Sequence, residues 1–158
     1  MQFSFSYDKN KVLQGLRYHF ITRQEIRVII ILVNIFAILS AVLFYTKKIR
    51  PEPFLLSSVL WLFLMVSFWY LLPYTIYRRS ITFKESFTIF FFERQIRLKN
   101  ARGHVDWNWS DFNSFFESPN FFHLYFSSRS FFLLPKENLD AETIRSIRTL
   151  LSHHIKKK

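Results

Sequence analysis

The side chains with most chemical reach are five histidines: His19, His104, His123, His153 and His154. A bound metal needs ligands that converge. His153 and His154 are adjacent, and neighbours on a helix diverge by roughly 100°. No H-E-x-x-H spacing occurs. Asp106 and Asp111 flank Trp107–Ser110, and acids beside tryptophan on a strand read as solvated. Ser127, Ser128 and Ser130 sit in a turn without the glycine elbow that presents a nucleophile. There is no cysteine, so disulfides, thiolate metal sites and a cysteine nucleophile are excluded. The two glycines, Gly15 and Gly103, lie too far apart for a Gly-rich phosphate loop. These residues predict no catalytic centre, no metal and no cofactor.

Basic side chains dominate what remains. The chain of 158 residues carries 22 Lys and Arg against 11 Asp and Glu, a formal charge of +11. Arg97 and Lys99 fall on one face of an alternating segment, opposite Ile96 and Leu98. Together with Arg94, Arg102, Arg129 and Lys136 they form a candidate patch for anionic lipid headgroups or an acidic partner. Each basic residue near an anionic leaflet contributes about 1 kcal/mol. The alternative is that these charges serve orientation and solubility alone. Nucleic acid is not the expected partner, because most of the 21 phenylalanines follow buried-strand or bilayer patterns.

The elements that position these residues begin with two uncharged apolar runs, 28–45 and 54–77. A bilayer core asks for about 17–25 apolar residues, and both runs meet that length. Neither shows the polar face of a core helix. They predict a transmembrane hairpin, residues 28–77, joined by Thr46–Pro53. The first run begins too late for a cleaved signal and reads as an anchor. Ten basic residues flank the outer ends of the hairpin and three lie in its loop, which predicts that both chain ends are cytoplasmic. Asn34 reads as a hydrogen-bonding group across the hairpin, with Ser57, Ser58 or Ser67 as partners. Pro73 reads as a kink near the exit.

Residues 1–27 combine a strand-like alternation of Phe3, Phe5 and Tyr7 with a basic amphipathic segment opened by Asp8 as N-cap. That segment either lies on headgroups or the strand joins the carboxy-terminal sheet, and both can hold. Residues 78–158 read as short strands at Ile81–Lys84, Phe87–Phe92, Gln95–Lys99, Val105–Trp109, Phe121–Phe126 and Phe131–Leu134. Asp140 then caps a helix whose Ile144, Ile147 and Leu151 share a face with Leu150, away from Arg145 and Arg148. The expected fold is a membrane helical hairpin plus a small α+β domain. That domain is a pleckstrin-homology-like (PH-like) antiparallel half-barrel closed by a C-terminal amphipathic helix.

Trp109-Ser110-Asp111-Phe112, the Phe-rich strand pair, Leu134-Pro135-Lys136 and the terminal helix, set behind a two-span hairpin, resemble the bacterial YcxB-like family. The resemblance implies a domain related to bacterial PH domains, anchored in the inner membrane and facing the cytoplasm. It implies no active site. The expected function is a non-enzymatic integral membrane protein whose cytoplasmic domain binds a partner protein or anionic lipid, with homo-oligomers compatible. The competing expectation is an immunity or regulatory protein that acts on another membrane component through its hairpin.

Overall fold

The computed structural model describes all 158 residues, Met1–Lys158. In chain order the elements are β1 (Gln2–Phe5), α1 (Lys9–Thr22), α2 (Gln24–Tyr45), α3 (Pro51–Val66), a π turn (Ser67–Leu71), and α4 (Leu72–Arg79). They continue with β2 (Phe87–Phe91), β3 (Gln95–Asn100), β4 (Gly103–Asn108), β5 (Ser114–Glu117), β6 (Phe121–Tyr125), β7 (Phe131–Pro135) and α5 (Ala141–His154). They form two compact units: Met1–Gly15 with Arg79–Lys158, and Leu16–Arg78.

The first unit holds two antiparallel sheets, β1-β2-β3-β4 and β5-β6-β7. Phe5, Phe87, Ile89, Phe91, Ile96 and Leu98 turn inward at alternate positions, as the period of a strand requires. β6 is buried along its whole length. Helix α5 presents Ile147 and Leu151, both fully buried, to this core. Asp140 caps that helix as an N-cap carboxylate does. Its side chain accepts from the Thr143 N–H at 3.2 Å. β1 pairs with β2 in the register Phe3↔Ile89 and Phe5↔Phe87, so the amino-terminal strand completes the four-stranded sheet. Tyr7 follows β1 and donates its hydroxyl to the Leu133 carbonyl at 2.7 Å. Burial pushes its pKa up.

Two segments depart from the strand reading. Ile81–Lys84 alternates like a strand but forms one 3-10 turn, Thr82–Lys84. A single inward ring, Phe83 edge-on to Tyr7, meets its apolar demand without a ladder. β4 stops at Asn108 rather than Trp109. There the Asp111 carboxylate accepts from the Asn108 N–H at 2.8 Å. In return the Asn108 side chain accepts from the Asp111 N–H, closing a capping box that ends the strand. The short strand β5 has no counterpart in the sequence reading.

In the second unit, α2 has 22 residues. At about 1.5 Å per residue it exceeds the roughly 30 Å of a bilayer core. The continuous stretch Pro51–Arg79 is longer still, and the two have mean hydropathies of 2.8 and 2.1. Both helices are long and apolar enough to cross a membrane, and hardly any of their residues is buried in a core. Pro51 starts α3 at a position where a missing N–H costs nothing. Ser40 and Ser57 share a buried hydrogen bond at 2.8 Å between the two helices. Phe44 stacks on Phe54 at 4.5 Å beside the turn.

Candidate functional site

The six basic residues of the candidate patch occupy five places. Arg97 and Lys99 share the outer face of the four-stranded sheet. Arg97 grips Asp106 on β4 with both forks, Nε to Oδ1 at 2.6 Å and Nη2 to Oδ2 at 2.7 Å. That hydrogen bonding holds the Asp106 carboxyl below the usual range. Lys99 lies exposed between Thr88 and His104. Arg102, in the β3–β4 turn, meets Glu85 at 3.0 Å, and Asn100 donates to the other Glu85 oxygen at 2.7 Å. Arg94 is exposed in the β2–β3 turn and Arg129 in the β6–β7 turn. Lys136 follows β7, with its ammonium 3.1 Å from Glu117 and over the Phe122 ring. Three of the six are therefore committed to carboxylates within the domain.

Glu117 is the centre of the strongest of these clusters. Arg148 of α5 donates to both its oxygens, at 2.7 and 2.8 Å, and Lys136 donates as well. The Arg148 hydrogen bonds, reinforced by Lys136, bring the Glu117 pKa down to about 2 against the opposing effect of burial. Arg148 thus joins β5 to α5 and is no bystander on a polar helix face. No three His, Asp or Glu side chains converge anywhere. His123 is fully buried in β6 and shares a 2.9 Å hydrogen bond with Ser118.

Concave features of this unit lie elsewhere, one of about 540 Å³ lined by Phe91, Phe92, Leu150 and His153. A cavity of about 450 Å³ opens between the sheets beside residues 80–85. Leu98, Val105 and Trp107 line it from the four-stranded sheet, with Phe126 from the β6–β7 turn and Phe131 from the start of β7. Trp107 is fixed by rings 5.2 Å away, Phe126 and Phe132. Val105 is 51% exposed and Ile81 60% exposed. The Glu85–Asn100–Arg102 cluster sits on the polar part of the lining. Ligand sites have this composition and size: largely apolar walls, a few placed polar groups and about 300–1,000 Å³. The arrangement can hold an apolar or amphipathic group.

Residues 91–151 match the model of the family described as YcxB-like protein. That region of the chain is similar to the YcxB-like family. No curated protein and no solved structure matches it. The YcxB-like region runs from the last residue of β2 to Leu151 in α5. It contains all six basic residues and the Val105, Trp107, Phe126 and Phe131 walls. It leaves out β1, both apolar helices and the 80–85 side of the cavity.

Two polar devices in the second unit stand outside the YcxB-like region. Asn34 accepts from the Trp61 indole at 3.3 Å and donates to the Ile30 carbonyl at 2.7 Å. It bridges the hairpin to a tryptophan, whereas the serines Ser57 and Ser58 turn back on Phe54. Pro73 has no N–H to give the Trp69 carbonyl four residues earlier. Arg17 supplies the missing donor: its Nε reaches that carbonyl at 2.9 Å, with the guanidinium over the Tyr70 ring. Pro73 alone signals an orphaned carbonyl at Trp69. Nothing in the sequence points to Arg17, 52 residues away, as its partner.

Proposed function

We propose that the chain is a non-catalytic binding module held in the bacterial inner membrane by its hairpin, with a PH-like β domain in the cytoplasm. Four strands plus three, closed by one C-terminal helix, support the PH-like plan. Two exposed apolar helices support the membrane anchor. The ten-to-three distribution of basic residues supports cytoplasmic ends.

One observation carries the binding role: the apolar cavity of about 450 Å³ beside residues 80–85. Its walls favour apolar side chains of a partner protein over a lipid headgroup. Arg97, Arg102 and Lys136 are already matched to Asp106, Glu85 and Glu117, which weakens the headgroup reading of the patch. The test replaces Phe131 in the cavity wall with photoreactive benzoylphenylalanine, in the full chain in native membranes. Irradiation is expected to give a defined adduct at 131 and none with the probe at Lys156, on the exposed tail. Mass spectrometry separates a protein adduct from a lipid one. A probe at 131 that stays unreacted, or reacts no more than the probe at 156, contradicts the cavity as the binding site.

A further inference from the structure

The four-stranded sheet ends at β4, and its hydrogen bonding shows which backbone groups that edge offers. In an antiparallel ladder, residues alternate between bonding one neighbour and the other. The Phe92 N–H donates to Gln95 at 2.9 Å, which commits Gln95, Arg97 and Lys99 to β2. Ile96, Leu98 and Asn100 are left to bond β4, so their partners Trp107, Val105 and Gly103 turn inward to β3. His104, Asp106 and Asn108 therefore point their N–H and C=O groups away from the sheet. Asp111 occupies the Asn108 N–H at 2.8 Å. His104 and Asp106 remain as an open stretch of edge.

This edge lacks the usual protection. Exposed edges are commonly blunted by lysine, proline or covering segments. β4 has neither lysine nor proline. The outer edge of β5, by contrast, is occupied: Phe115 bonds Lys156 and Lys158 of the tail at 2.9 and 2.8 Å. Beside the open stretch, Val105 leaves half its surface uncovered.

The pattern is self-complementary. We propose that β4 pairs antiparallel with β4 of a second copy, centred on Val105, so that the sheet continues across a two-fold axis. In this register His104 lies opposite Asp106 of the partner subunit, and the reverse, and each of these pairs exchanges both backbone bonds. Each His104 then faces a carboxylate that Arg97 of its own chain holds ionised. An imidazole N–H donates to a carboxylate set directly across a ladder. Val105 meets Val105 of the partner subunit in the closely spaced pair between them, which covers its exposed face. A two-fold contact requires one patch to complement itself, and the sequence His104-Val105-Asp106 does so.

The cysteine-free chain allows a direct test in native membranes. Val105→Cys is expected to give a disulfide-linked dimer under mild oxidation, because closely spaced strand pairs fall within disulfide reach. Ser4→Cys, on β1 at the opposite edge of the same sheet, is expected to give little. Adding His104→Asp to Val105→Cys sets carboxylate against carboxylate and is expected to cut the dimer several-fold. Adding His104→Lys is expected to preserve it. Light scattering of the wild-type chain in mild detergent is expected to give twice the 19.3 kDa chain mass. The proposal is overturned if Val105→Cys does not link to itself, whatever else it reacts with. Equal linking of Ser4→Cys, equal effects of His104→Asp and His104→Lys, or a wild-type monomer overturns it as well.

Discussion

Glu117 holds together more of the β domain than its place in a short strand suggests. Its two oxygens receive Arg148 and Lys136, tying β5 to α5 and to the end of β7. The folded pKa, about 2, lies below the ordinary 4.5, so this contribution is complete above pH 4.5 and is lost as pH falls through about 2. Glu117→Gln is expected to cost about 2 kcal/mol at neutral pH, the scale of hydrogen bonds to a charged group. The gap between wild type and variant is expected to close as pH drops from 5 to 2. Unfolding of the full chain in detergent, followed by tryptophan fluorescence, measures both. A gap that is constant over that range contradicts the assignment. The sequence shows Glu117 only as one acid among several, because its partners lie 19 and 31 residues away in other elements. Periodicity assigns Arg148 to the polar face of its helix, where its ion pair lies beyond the reach of any local pattern.

At the scale of elements, strong periodicity was legible and exceptions to it were not. The inward residues of β2 and β3, the Asp140 cap and the buried Ile147 and Leu151 all follow from alternation or helical spacing. The turn at Thr82–Lys84 mimics a strand over four residues, and β5 is too short to declare itself. The cavity was invisible as well, since its walls come from two sheets and the 80–85 segment. Gly15 shows how a helix seat escapes a sequence reading. It lies inside α1, where alanine is usually better by about 1 kcal/mol. A Cβ there would sit 2.9 Å from the ring of Phe121, which is buried and cannot swing away. Overpacking costs about 1–3 kcal/mol, so Gly15→Ala is expected to destabilise the chain by about 1 kcal/mol net. A higher melting temperature for Gly15→Ala in a detergent thermal scan would show that the helix sits further from β6.

At the scale of the molecule, the chain interrupts a β domain with a hairpin. β1 precedes the two apolar helices, β2 follows them, and the two strands pair. A sheet cannot form through a bilayer, so that pairing requires the residues before and after the hairpin to lie on one side. The proposed side is the cytoplasm, which rests on ten basic residues at the outer ends against three in the loop. Strand alternation in residues 2–7 left two fates open for this segment. The partner strand lies beyond the hairpin, too far in sequence for local periodicity to choose it. The most direct test is the accessibility of single cysteines at three exposed positions, Ser4→Cys, Glu52→Cys and Ser152→Cys, to an impermeant thiol reagent on intact cells. The account predicts labelling at 52 alone, with 4 and 152 reacting only after the membrane is opened. Labelling at 4 and 152 but not 52 would contradict the orientation, and labelling at only one of 4 and 152 would contradict the shared sheet itself.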